Sequence, residues 1–319
     1  MSGMPIHLDK LRAVRRVIVH ANCPDGRASA LILHAALPNA RIDEMAYGDP
    51  AHEALQPEPG LLFCDFTPPK DRLAEFAATG AIVLDHHDVD LTVFGDHAVK
   101  GDNAKAESGA ALALREVYAP LFFERLQPSP ADASEARACE NVAELAAIRD
   151  TWQRASPVWE AAGTFSEALR FVPLDDALAM GPARLLRLAE DLGPTLRRKK
   201  LEAARQAAQN AVRWTIAGRR VAVLSSVTLT SDVADVLGAE VDLVVGFEYV
   251  QEPGRVRLQL SLRSRGDVNV TAIAKANGGG GHENGRAAGC HFPVSLAEHP
   301  TFQPRSPYAS VRSFLEASL

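Results

Sequence analysis

Histidine and aspartate recur at three places in the first part of the chain: His20 with Asp25 just beyond it, Asp65, and the triplet Asp85-His86-His87. Carboxylate and imidazole together suit Mn2+ or a similar divalent ion. A cluster with several carboxylates can hold two ions, which clamp the attacking and leaving oxygens of a phosphoryl transfer. One aspartate after a strand is ordinarily a helix cap or a turn former, and a histidine pair is ordinarily a surface or core feature. The coincidence outweighs both readings, because each group ends a short apolar run.

Those runs, residues 17–20, 61–65 and 81–85, read as buried strands, with helical patterns over 28–37 and 71–78 between them. Strands alternating with helices imply a parallel sheet covered on both faces. In such a sheet ligands bind at the carboxyl ends of the strands, so residues distant in sequence meet in one crevice. From 107 to about 192 the pattern is mainly helical, broken by Pro128, Pro130, Pro157 and Pro173. Residues 184–211 form one or two helices, joined near Gly193-Pro194, and are the connector. Beyond them 221–224, 241–250 and 256–262 are β-like, a glycine run follows at 278–281, and 307–319 reads as a terminal helix. The expected fold is α/β. A parallel-sheet domain with a helical insert occupies 1–190, a helical linker 191–215, and a smaller α/β domain 216–319; the resemblance given below makes the first the catalytic and the last the substrate-binding domain.

At 319 residues the chain suits two cores rather than one. Its 47% hydrophobic and 23% charged content is ordinary for a soluble protein. No apolar run approaches the roughly 18 residues of a membrane span, and residues 1–16 lack a signal core. Cys23, Cys64, Cys139 and Cys290 are widely spaced and form no CxxC pair, which fits reduced thiols in a cytoplasmic protein. A formal net charge of −6 points away from long duplex nucleic acid. A small phosphorylated ligand held by metals and a few arginines is compatible with it. Composition leaves a homodimer open.

The segment His20-Ala21-Asn22-Cys23-Pro24-Asp25-Gly26, then Asp65, then Asp85-His86-His87, resembles the first three motifs of the DHH phosphoesterases. Asp150, in Ala147-Ile148-Arg149-Asp150-Thr151-Trp152, falls where the fourth motif stands. Downstream, Gly278-Gly279-Gly280-Gly281-His282 followed by Ala287-Ala288-Gly289, with Arg263-Ser264 before them, is similar to the signature of the DHH-associated C-terminal domain. The resemblance covers about residues 15–293. It implies two divalent metal ions, Mn2+ first and Mg2+ or Zn2+ as alternatives. Asp65 bridges them, His86, Asp150 and Asp25 complete one shell, and His20 belongs to the other. His87 faces the substrate phosphate, and Asp85 orients His86 from behind. Arg263, Ser264, His282 and the N–H groups of Gly279, Gly280 and Gly281 hold phosphate or a terminal nucleotide, so catalysis needs the two domains to close. The substrate so implied is a short oligonucleotide or a small nucleotide such as 3′-phosphoadenosine 5′-phosphate, as for a nanoRNase. Cyclic dinucleotides and polyphosphate are the alternatives, and a nucleotide-binding protein without turnover is the competing class.

The first motif departs from the family pattern of His, three residues, Asp, one residue, Asp. Here four residues separate His20 from Asp25, and only one acid is present. If Asp25 is the second acid, Cys23 stands in place of the first. If it is the first, Arg27 replaces the second. Asp25-Gly26 followed by Ser29 and Ala30 matches the turn into the helix better under the former alignment. One metal position then lacks a carboxylate, with Cys23 or the Asn22 amide oxygen as substitutes. The loop from Glu283 to Arg286 is also longer than the common two residues, and Arg286 is either a phosphate contact or a solvated charge.

Overall fold

The computed structural model describes residues 6–124, 129–252, 255–282, 285–294 and 307–319. Pro128 and residues 283–284 of the loop after His282 lie outside them. The chain divides into two compact units, Met1–Arg197 and Arg198–Leu319.

In the first unit, β1 (Arg16–His20), β2 (Arg41–Met45), β3 (Leu61–Cys64), β4 (Ile82–Asp85) and β5 (Ala98–Lys100) form one sheet in the order β2-β1-β3-β4-β5. Every pairing is parallel. The three central strands are the apolar runs expected from sequence. The two edges, β2 and β5, are not apolar runs: β2 reads Arg-Ile-Asp-Glu-Met and β5 is three residues long, the character of edge strands. Alternate residues face opposite sides. Val17, Val19, Leu62, Cys64, Ile82 and Leu84 pack in one core with residues of helices Pro24–Ala36, Pro130–Asp150 and Trp159–Phe171. Ile18, Leu61, Phe63 and Val83 pack in the other with Phe66, Phe76 and Phe94. Burial on both faces explains why these strands are continuously apolar rather than alternating.

The register sets Val19 beside Cys64 and Cys64 beside Leu84. His20, Asp65 and Asp85 therefore leave adjacent strands at the same edge. Pro24 opens the helix after β1 in the first-turn position it favours. Ser129 and Asp132 form a capping box that starts Pro130–Asp150, and that helix ends on Asp150. Of the one or two helices expected over 184–211 the single helix is found: Leu174–Asn210 runs through Gly193-Pro194 and breaks only earlier, at Gly181, whose φ is 71°.

The second unit is a six-stranded sheet of β6 (Val212–Ile216), β7 (Arg219–Leu224), β8 (Leu243–Glu252), β9 (Arg255–Ser264), β10 (Gly280–Gly281) and β11 (Ala287–Val294), in the order β10-β11-β9-β8-β7-β6. Only β7 and β8 pair in parallel. All of strand β6 but Ile216 lies within the segment, 191–215, read as a helical linker. One core joins Val223, Val245 and Leu260 to Val270, Ala274, Val311 and Leu315, and another joins Ala222 and Val244 to Ala204, Val233 and Leu237. All four cysteines are free thiols. No described helix is long and apolar enough to cross a membrane.

Candidate active site

The strand ends of the first unit bring together His20, Asp25, Asp65, Asp85, His86 and His87, and the end of helix Pro130–Asp150 adds Asp150. Around His86 Nε2 lie Asp65 Oδ1 at 3.2 Å, Asp150 Oδ2 at 3.2 Å and Asp25 Oδ2 at 3.9 Å. The second oxygen of Asp65 turns elsewhere: Oδ2 is 3.7 Å from His20 Nδ1. One buried carboxylate thus addresses two donor sets from its two oxygens.

Several hydrogen bonds fix these side chains from behind. Ser108 Oγ donates to Asp25 Oδ1 at 2.6 Å, and the Ala110 N–H donates to the same oxygen at 3.2 Å. His86 Nδ1 is 2.5 Å from Asn103 Oδ1. The Asn103 amide nitrogen donates to the His86 carbonyl at 3.3 Å, so the amide oxygen is the atom turned to the ring, and Nδ1 is the donor. That leaves Nε2 as the nitrogen turned to the carboxylates, the one that would ligate a metal on losing its proton. Asp85 does not orient the His86 ring, contrary to the role the resemblance implied. Its Oδ1 accepts the N–H groups of His86 and His87 at 2.8 and 3.1 Å and lies 2.8 Å from His87 Nδ1. The reason is geometric: Asp85 immediately precedes the pair and folds back on their backbone, within reach of the nearer edge of the His87 ring. Lys100 bonds the carbonyls of His87 and Val89 and holds the turn that follows.

Asp65 adopts a left-handed φ of 56°, a conformation that aspartate tolerates better than most residues. Gly109 makes this possible. A Cβ there would lie 2.5 Å from Asp65 Cβ and 2.8 Å from Asp25 Oδ2, so the segment from Ser108 can pass behind both acids only as glycine. His20 stacks on Phe66 with centroids 5.8 Å apart and meets the edge of Tyr47 at 5.4 Å.

Charge is unevenly shared. Burial, then the neighbouring Asp65 and Asp150, push the Asp25 carboxyl well above the usual carboxylate range. Burial opposes ionisation of Asp65 too, but the His20 and His86 imidazoles overcome it and hold that carboxyl well below its ordinary value. His86 is raised well above an ordinary histidine despite its burial, because Asp65, Asp150 and Asp25 surround it. Such a cluster is short of positive charge. Asp25 Oδ2, Asp65 Oδ2, Asp150 Oδ2 and His20 Nδ1 are buried without a hydrogen-bond partner, although buried polar atoms are normally satisfied. Divalent cations fit that donor set, since each orphaned atom is a metal ligand type.

The first motif is also settled in part. Arg27 donates to Glu44 Oε1 at 2.7 Å and to the carbonyls of Leu169 and Val172 at 2.7 and 2.8 Å. It is a structural clasp and takes no place in the cluster. Asp25 and Cys23 do: the donor atoms of His20, Cys23 and Asp65 lie within 4.8 Å of one another. Those of Asp65, Asp85, His86 and His87 are equally close. Asn103, Ser108, Tyr47 and Phe66 escaped the sequence reading, because a single amide, hydroxyl or ring carries no spacing signal.

In the second unit Arg263 Nε donates to Ser231 Oγ at 2.8 Å and its Nη1 to the Leu262 carbonyl at 2.8 Å. Ser264 is buried, with its hydroxyl on the Gly266 carbonyl at 3.3 Å. The His282 backbone is pinned by its N–H on the Ala287 carbonyl at 3.0 Å and by Thr271 Oγ1 on its own carbonyl at 2.7 Å. Gly280 and Gly281 pair with Gly289 and Ala288 of β11. A Cβ on Gly281 would meet the Ala287 carbonyl oxygen at 2.4 Å, so packing against β11 already demands glycine there.

The exonuclease RecJ bound to manganese is a similar solved structure, with a TM-score of 0.53 at 18% identity over 96% of this chain and 90% of that one. The chain has the RecJ fold. RecJ of Thermus thermophilus in complex with Mn2+ gives a TM-score of 0.50 at 18% identity, over 96% of this chain and 52% of that one. The pGpG-specific phosphodiesterase PggH of Vibrio cholerae gives 0.44 at 15% identity, over 96% and 100%. No protein-family model matches the chain, and no curated protein does. The α/β architecture is the one expected from sequence: a parallel five-stranded sheet, followed by a smaller unit built on a six-stranded sheet.

Proposed function

We propose that this chain is a DHH-type, divalent-metal phosphohydrolase that cleaves short oligonucleotides or a small nucleotide such as 3′-phosphoadenosine 5′-phosphate. The observation that carries this reading is the two-sided use of Asp65, with Oδ1 facing His86 and Oδ2 facing His20. Asp25, Asp65, His86 and Asp150 would hold one cation, and Asp65 with His20 would contribute to the second. When bound, two divalent cations supply the Lewis acidity for an in-line displacement at phosphorus. Manganese is the cation we favour, supported by carboxylate-rich donors and by the manganese in RecJ of the same fold.

The protein groups have separate tasks. Ser108 and Ala110 aim Asp25, and Asn103 aims His86. Asp85 holds His87 by Nδ1, so Nε2 is the nitrogen offered to a phosphate oxygen, and the ring retains a proton for hydrogen bonding to it. Arg263, His282 and the backbone of Gly280 and Gly281 bind phosphate or a terminal nucleotide, without the expected Gly279 N–H, which donates to the Ala274 carbonyl at 2.8 Å, and Ser264 braces the strand end that carries Arg263. Assay with Mn2+ against a dinucleotide, a 5-mer, 3′-phosphoadenosine 5′-phosphate, cyclic di-adenylate and polyphosphate tests the reading. Turnover of the first two or of the third supports it. Binding without turnover of any of them defeats it in favour of a nucleotide-binding role.

A further inference from the structure

The two sides of Asp65 differ in chemistry. On the Oδ1 side the remaining donors are one imidazole nitrogen and two carboxylate oxygens, from His86, Asp25 and Asp150. On the Oδ2 side the neighbour is His20 at 3.7 Å, and Cys23 lies beside this pair, since the donor atoms of His20, Cys23 and Asp65 are within 4.8 Å of one another. Tetrahedral zinc bound by sulfur at about 2.3 Å and by nitrogen and oxygen at about 2.0–2.2 Å separates its donors by about 3.5 Å. A small contraction of side chains reaches that spacing. No other acid of the first motif competes: Asp25 is turned to Ser108 and His86, and Arg27 to Glu44.

We propose, on the footing of the dinuclear reading above, that the chain sorts two different divalent cations, with Cys23 as a sulfur ligand. His20, Cys23 and Asp65 take a thiophilic ion such as Zn2+ or Co2+, and Asp25, Asp65, His86 and Asp150 take a hard one such as Mn2+. Softness of the donor set decides it: thiolate and imidazole favour zinc and cobalt, whereas carboxylates suit manganese and magnesium. Zinc outbinds manganese at almost any nitrogen, oxygen or sulfur site, so the informative comparison is between variants rather than between metals.

Metal-free full-length protein titrated with Co2+ tests this without reference to activity. Sulfur bound to cobalt(II) gives a near-ultraviolet charge-transfer absorption, and elemental analysis counts the ions. The wild type is expected to develop that absorption with one equivalent, and Cys23→Ser to lose it. Cys23→Asp is expected to bind two ions without the absorption, and to retain Zn2+ against excess Mn2+ at least ~10-fold less well than the wild type. Cobalt binding at wild-type stoichiometry with no sulfur absorption would overturn the role of Cys23 and leave the dinuclear reading standing. Absence of any tight cobalt binding would overturn both.

Discussion

Asn103 Oδ1 stands 2.5 Å from His86 Nδ1, and this contact, rather than one from Asp85, sets the ring that faces the three aspartates. Partners behind a metal-bound histidine typically contribute 10- to 100-fold in metal affinity. Asn103→Ala is therefore expected to weaken Mn2+ binding by about that factor, in a protein whose unfolding midpoint with metal removed is unchanged. Calorimetric titration with Mn2+ measures it, and unaltered affinity would return the orienting role to another group.

Asp85 belongs to the other histidine. Asp85→Asn keeps an oxygen acceptor beside the His86 and His87 N–H groups but removes the charge beside His87. The expected outcome is a fall in kcat of about 10- to 100-fold with metal content close to wild type. Parallel loss of both metals would show that Asp85 is a ligand instead.

Gly109 is the steric hinge of the site. Gly109→Ala places a methyl 2.5 Å from Asp65 Cβ, and overpacking of that kind costs about 1–3 kcal/mol. Denaturant unfolding should show that loss together with reduced metal content. An alanine variant of normal stability and full occupancy would mean that the acids are not held where the structure places them.

Much of this was legible in the sequence, and the limits are physical. The strands β1, β3 and β4 are buried on both faces, so their apolar runs stand out, and parallel pairing dictates that their ends converge. The edge strand β2, with Arg41, Asp43 and Glu44 exposed or half-buried, and the three-residue β5 lack any such signal. Gly193-Pro194 left one helix or two open, and the helix runs through it and breaks at Gly181. Asn103 and Ser108 act through side-chain hydrogen bonds across 17 and 83 residues of chain, and nothing local in the sequence marks contacts of that range. Asp85 was expected behind His86, whereas its carboxylate bonds the ring of His87 at 2.8 Å, a choice between adjacent rings that sequence order does not make.

Trp152 and Trp159 close the turn after Asp150. Their rings meet edge to face at 5.5 Å, with the Arg149 guanidinium 4.5 Å over Trp159 and that of Arg154 5.0 Å over Trp152. Trp152 takes a left-handed φ of 66°, so the stack holds a turn the backbone disfavours. Trp159→Ala is expected to cost about 1–2 kcal/mol from the lost cation–π contacts and to weaken Mn2+ binding through a looser Asp150. Denaturation and metal titration on the same sample separate the two effects. Lost stability with unchanged metal affinity would confine the stack to a structural role.

The bridging place of Asp65 is best tested by counting metal ions in Asp65→Asn and measuring its turnover beside the wild type. Asparagine keeps the size of the side chain and one oxygen, but it cannot offer an anionic oxygen to each side. The account predicts about two Mn2+ per wild-type chain, occupancy of both positions reduced in the variant, and turnover reduced by at least ~1000-fold. Two tightly held ions and wild-type turnover in Asp65→Asn would contradict it.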